Sequence, residues 1–377
     1  MIPAAAWAQD AQDAQSAAER EVAQRIDGVF GGLDFSQMEE IRLTLPGIGD
    51  GLSVEAAARA LASGKALQAD ELLAQVLGAF AGSLSQLGRL MLSLILPVLL
   101  SGLLTHLSGD EGQLAPLVRS VCLVLILVPV VLAVLGELTH ARETIVAMTT
   151  RMEKLLPLLL TLLTAVGGNA SSAFLHPMVV AASGSMVFLA REVILRLVMC
   201  TCAVTAVNHL SDRAHLTRLA QLLRGAVCWL LGVSFTVFLG AMSLQGVVSA
   251  SIDGVAIRAA KYAVDNFVPV VGGMFSDTMD TLVGCTLIVK NALGVASALA
   301  LVFAMAGPLL RTMAVVFVFK LSAALLEPVA DAQVVGAIGD FSRTLVLFLI
   351  TMLCVGTMYF LLIVQLLLVG NLTVMLR

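Results

Sequence analysis

Seven polar residues stand where an apolar sequence has no ordinary use for them. Arg191, Glu192 and Arg196 interrupt the hydrophobic run that follows Pro177, and Asp277, Asp280, Lys290 and Asn291 follow the pair Gly272-Gly273. An ionised group at the centre of a bilayer costs on the order of 2.5–3.5 kcal/mol on insertion scales, so such groups pair, line a polar path between helices, or snorkel to an interface. Glu192 and Arg196 are four apart, which puts them on one helix face at ion-pair spacing. Carboxylates beside unwound backbone would coordinate a cation, as in transporters with discontinuous helices, whereas Asp277 after Ser276 would equally cap a helix start. Arg311, Lys320 and Glu327 are later intrusions of the same kind, for which snorkelling and a polar path both stay open.

No catalytic constellation accompanies these groups. The sequence has no Gly-x-Ser-x-Gly elbow, no His-Glu-x-x-His pair and no phosphate-binding Gly-x-x-x-x-Gly-Lys-Ser/Thr loop. His106, His140, His209 and His215 fall at expected helix ends or linkers, and His176 stands beside Pro177. The 6 cysteines all lie in apolar stretches, where a thiol behaves as a small buried hydrophobe. Cys200-Thr-Cys202 has neither zinc-ligand nor redox spacing. The reading is a non-enzyme with no metal site and no cofactor.

Composition dictates the elements that must carry these residues. The chain is 59% hydrophobic and 13% charged, with mean hydropathy +0.98, whereas soluble domains are about 45–50% apolar and about 25% charged. Lipid is therefore the expected solvent. Backbone in lipid must satisfy its own hydrogen bonds, and long Leu/Val/Ala runs without alternation specify helices rather than a barrel. The expected fold is all-α: a polytopic integral membrane protein of about seven or eight helical membrane segments, some broken or re-entrant, behind a small N-terminal helical extramembrane domain. A net charge of −4 without a dense basic block argues against nucleic acid as a partner.

Three regions follow. Residues 1–8 read as a signal-peptide remnant, because Ala6-Trp7-Ala8 before Gln9-Asp10 has the small-x-small form of a cleavage site; a chance Ala-rich start is the alternative. Residues 9–82 form a polar helical domain, with a capping box at Ser36-Gln37-Met38-Glu39, a breaker cluster from Leu45 to Gly51, and a helix opened by Ser53-Val54-Glu55. Its meagre core requires packing on a partner or on the membrane region. Residues 83–377 are that membrane region.

Leu90–Leu107, with Pro97, and Val118–Leu138, with Pro129, form a hairpin about the polar turn Ser108 to Gly112. Leu155–Val166 is too short to span and ends at Gly167-Gly168, after which Pro177 opens a run to Val207. A re-entrant helix with unwound backbone and a pair of straight helices joined by a Gly-rich turn are both open there. Gly225–Val248 is a clear span; the theme of a Gly-Gly break recurs at Gly272-Gly273, and Ala292–Pro308, Leu309–Leu326 and Thr344–Leu368 complete the set. Two stretches run parallel, His209 through Arg224 with its span and Glu327 through Arg343 with its span, and Val166-Gly167-Gly168 echoes Val271-Gly272-Gly273; chance likeness of Leu/Val-rich segments explains this as well as duplication does. A cleaved signal places residues 9–82 outside the cytoplasm, the linker bearing Arg213, Arg218 and Arg224 belongs inside, and parity turns on whether Leu155–Val166 crosses.

The string from Lys261-Tyr262-Ala263-Val264-Asp265-Asn266-Phe267 through Pro269-Val270-Val271-Gly272-Gly273-Met274-Phe275-Ser276-Asp277, and on through Asp280-Thr281, Gly284-Cys285 and Lys290-Asn291-Ala292-Leu293-Gly294-Val295, resembles the signature region of the stage III sporulation protein AE family. The resemblance extends over essentially the whole chain. It implies a multi-pass mother-cell membrane protein of an endospore-forming bacterium, acting in the membrane around the forespore. The implied role is as a subunit of a secretion-like channel, or feeding tube, with the other stage III sporulation A-operon proteins and stage II sporulation protein Q as partners. It brings no catalytic residues. From the residues alone, a stand-alone secondary transporter of a small solute and a non-conducting scaffold remain alternatives, and homo-oligomerisation stays open.

Overall fold

A computed structural model describes residues 24–32, 42–45, 49–62, 74, 77–78, 81–82, 87–88, 91–93, 95–98, 115–210, 216–267, 272–328 and 332–375. The signal remnant, the Ser36–Glu39 capping box, the polar turn 108–112 and most of the Leu90–Leu107 span lie outside these residues. Helix dominates. The departure from all-α is a short antiparallel hairpin, β1 (Arg42–Leu45) with β2 (Gly49–Ser53), in which Arg42 faces Ser53, Leu43 faces Leu52 and Leu45 faces Gly49. Leu45 and Gly49–Gly51 of the breaker cluster thus lie in paired strands rather than in a loop between helices.

Ser53 then caps α1 (Val54–Ala62): its Oγ accepts a hydrogen bond from Ala56 N at 3.2 Å. Val54, Ala57 and Ala58 are buried on one face, and α1 and β1 pack on the long helix Gly272–Leu326. Arg59 fastens the helical residues 24–31 to α1, reaching Asp27 at 3.3 Å and Glu55 at 2.9 Å, with its guanidinium 5.2 Å from the centre of the Phe30 ring. Among the described residues, α1 therefore leans on a long helix of the rest of the chain.

Five long helical runs follow: α2 (Ala115–Ala165), α3 (Asn169–Phe188) continued by a π-helical turn (Leu189–Ile194) into α4 (Leu195–Leu210), α5 (Thr217–Phe267), α6 (Gly272–Leu326) and α7 (Ala332–Met375). Hydropathy had divided α2 into Val118–Leu138 and Leu155–Val166, and α6 into Ala292–Pro308 and Leu309–Leu326; each is one helix. The polar stretch His140 to Lys154 changes the solvent a helix prefers but contains neither Gly nor Pro, so nothing ends the hydrogen-bond ladder. In α2 the buried residues Ile126, Val130, Val134, Glu137, Ala141, Ile145, Met148 and Met152 recur at three- and four-residue spacing, while Val121, Val124, Val128 and Leu132 are exposed on the opposite face. Among the described residues, four helical stretches are long and apolar enough to cross a membrane: Val124–Ala165, Thr217–Leu244, Thr281–Leu326 and Gln333–Leu372. The expected seven or eight segments are not individually present in this set.

A turn at Gly167-Gly168 separates α2 from α3. Gly167 has φ 100°, a left-handed value that side chains other than Gly rarely adopt. Gly167 N donates to Thr164 O and Gly168 N to Leu163 O, both at 2.9 Å, the paired bonds of a Schellman stop. The Gly-rich turn therefore joins two helices, and the backbone after it is helical rather than unwound. Gly272-Gly273 opens α6.

The antiparallel pair α6 and α7 forms the centre. Glycines let the two helices approach: a Cβ at Gly356 would lie 2.6 Å from Met305 Sδ, and one at Gly294 would lie 2.7 Å from Leu367 Cγ. Polar side chains pin α7 to its other neighbours, Tyr359 Oη to Thr149 Oγ1 of α2 at 3.1 Å and Gln365 Nε2 to Met242 O of α5 at 3.0 Å.

Candidate functional site

Polar chemistry inside the bundle gathers at three heights. The densest cluster centres on Asp340, near the start of α7. Its Oδ2 faces His209 Nε2 at 3.1 Å; its Oδ1 accepts from Arg224 at 3.3 Å and from Arg343 at 3.2 Å. Arg224 also donates to Asp340 O at 3.1 Å and to Thr205 Oγ1 at 3.3 Å, and Gln333 Nε2 donates to His209 O at 3.2 Å. Asn208 Oδ1 accepts from Leu216 N at 2.8 Å, closing the linker between α4 and α5. The end of α4, the start of α5 and the start of α7 are thereby clasped. One carboxylate against two guanidinium groups is a site for holding helices together, not for holding a cation.

The next level joins α2 to α6. Glu137 is 4% exposed and accepts from Thr312 Oγ1 at 2.7 Å, with Arg311 Nε 4.0 Å from its other oxygen. One turn along α2, His140 Nε2 is buried without a hydrogen-bond partner. At the far end of the α6/α7 seam, Lys290 is 1% exposed and donates to Leu367 O at 2.8 Å. It lies in a notch that exists because residue 370 is glycine: a Cβ there would overlap Lys290 Nζ and Cε and come 3.1 Å from Cδ.

The seven residues singled out from sequence do not form one site. Arg191 and Glu192 lie in the π-helical turn, and Glu192 pairs with Arg196 as the spacing predicts, but on the outer surface, with side chains 32% and 68% exposed. Arg191 Nε and Asn291 Oδ1 are buried without hydrogen-bond partners. Lys290 is buried inside the α6/α7 seam. Asp277 and Asp280 are in the first turns of α6, and their side chains lie outside the described ones. Among the described residues, no three His, Cys, Asp or Glu side chains form a metal-binding group. Asp340, Glu137 and the clasping role of His209 were missed. The available signal for Asp340 was the parallel between the two linker-plus-Arg segments: Arg224 and Arg343, equivalent in that parallel, share one oxygen of its carboxylate.

Residues 52–370 match the family described as Stage III sporulation protein AE, which covers α1 and all the long helices to near the end of α7. The chain belongs to the stage III sporulation protein AE family. The expectation raised by the Lys261 to Val295 string is met. A Bacillus subtilis (strain 168) protein named Stage III sporulation protein AE is 32% identical over 240 residues, which is 64% of this chain and 60% of that relative. The match thus spans about 60% of the curated relative's length. No solved structure matches the chain. Both names are those of a sporulation protein.

Proposed function

We propose that the chain is a multi-pass membrane subunit of a channel complex that supports forespore development from the mother cell, assembled with other stage III sporulation A-operon proteins and stage II sporulation protein Q. The family match across residues 52–370 carries this reading. The distribution of charge supports it over a stand-alone transporter: a transporter needs its polar groups to converge on a midplane site, whereas Lys290, the Glu137 group and the Glu192–Arg196 pair occupy separate places.

With α2 continuous, one orientation satisfies both sequence expectations. The Asp340 clasp, with Arg218, Arg224 and Arg343 around it, faces the cytoplasm; the Gly167 turn and the Gly272 break face outward; and residues 9–82 lie outside once Leu90–Leu107 crosses. The crossings are then Leu90–Leu107, α2, α3 with α4, α5, α6 and α7. The membrane is the mother-cell membrane around the forespore.

The test is a deletion in the host organism. Sporulation should stall after engulfment, and the tagged chain should fractionate with membranes and co-purify with the operon partners; normal spores and no co-purification would refute the reading. Lys290→Met and Glu192→Gln, assembled normally, should lose function in a channel and be tolerated in a scaffold. Solute movement by the purified chain alone in liposomes would favour the transporter.

A further inference from the structure

The outer face of the α3–π–α4 run is built unlike the lipid-facing surfaces beside it. From Arg196 to His209 of the clasp is 13 residues, about 20 Å along the axis. The same distance from the clasp on the neighbouring helices lie Val237, 13 residues after Arg224, and Leu353, 13 residues after Asp340; both are exposed and apolar, as a surface against lipid requires. At that height the α3–α4 face instead carries the exposed Glu192–Arg196 ion pair. Exposed residues at three- and four-residue spacing along the same face include Ala181, Ser185, Cys200 and Ala203. Small residues at this spacing let a second helix approach closely, and polar side chains strengthen such contacts in lipid. An ion pair left facing hydrocarbon carries the cost of its desolvation with no compensating contact.

The occupant is identified by charge. Leu90–Leu107, an apolar stretch of this chain that lies mostly outside the described residues, contains no Asp, Glu, Lys or Arg to answer the pair. A second copy presents one acid and one base at the same spacing and the same depth, so Glu192 of each copy can meet Arg196 of the other. We infer that this face is a self-association surface, on which two copies dock in the membrane and exchange Glu192–Arg196 contacts around the π-helical turn. The inference rests on the membrane reading above but not on the channel role.

The test uses the full chain reconstituted in lipid vesicles under two different tags, with Glu192→Lys in one pool and Arg196→Glu in another. Each variant destroys the pair within its own chain, leaving like charges to face like. Self-association of either variant should fall about tenfold, and mixing the two should restore it, because only contacts between chains can then be complementary. Native chains that are monomeric in vesicles, variants that associate as well as the native chain, or a mixture that stays dissociated would each overturn the inference. Should the variants fail to insert, a chain retaining Cys200 as its only cysteine should form a covalent dimer under mild oxidation, and one retaining only the exposed Cys228 of α5 should not; no dimer through Cys200 overturns the inference as surely. A chain that stays in solution without lipid or detergent would instead remove the membrane reading itself.

Discussion

Gly370→Ala is a sharp probe of the α6/α7 seam. The added methyl overlaps the end of Lys290, which is 1% exposed and has no solvent to swing into. Lys290 must then abandon its 2.8 Å bond to Leu367 O, or α7 must move away from α6. Overpacking costs about 1–3 kcal/mol, and a hydrogen bond from a charged group contributes about 1.5–3 kcal/mol, so the two overlapping effects together imply a loss of about 2–4 kcal/mol. Lys290→Ala empties the notch, and Gly370→Ala in that background should cost less than about 0.5 kcal/mol, since the methyl enters vacated space. The four proteins, unfolded by increasing SDS in mixed micelles, give a coupling of about 2 kcal/mol or more by double-mutant cycle. Equal costs of Gly370→Ala in both backgrounds would show that the lysine does not fill the notch and refute the reasoning.

Gly167→Ala should destabilise by about 1–2 kcal/mol, because φ 100° is strained for any residue with a Cβ, whereas the same change at the open position Gly136 should leave the unfolding midpoint unchanged or raise it. Asp340→Asn leaves Arg224 and Arg343 without their carboxylate and should cost about 2–3 kcal/mol by the same assay; Arg343→Ala, at a side chain 71% exposed, should cost less than about 1 kcal/mol. Thr312→Val removes the 2.7 Å bond to buried Glu137 and should lower stability by about 1–3 kcal/mol, with little further loss when Glu137→Leu is added; full additivity of the two would break the assignment.

What the sequence discloses is what depends on neighbours along the chain. The Gly167-Gly168 stop, the Ser53 cap and the Glu192–Arg196 pair are local, set by one residue's backbone freedom or by a four-residue spacing, and each is in place. The membrane character follows from composition. Helix continuity across His140 to Lys154 was illegible to hydropathy, which reports the medium a helix prefers and not whether its backbone stops. Asp340 was illegible because His209 and Arg224 are 131 and 116 residues away. Lys290 was marked as anomalous, but its reason for being there, a glycine on another helix, is a tertiary fact.

The lengths of α2 and α5, 51 residues each, have a consequence for where this protein meets its surroundings. Such a helix is about 77 Å long, more than twice a hydrocarbon layer of about 30 Å. The apolar run of α5 that begins at Gly225 ends at Val248, so residues 249–267 continue for about 28 Å past it and carry the Lys261 to Phe267 string to the far end of the helix. In the membrane arrangement proposed above, this part of the string would lie past the hydrocarbon layer, within reach of soluble neighbours rather than of lipid.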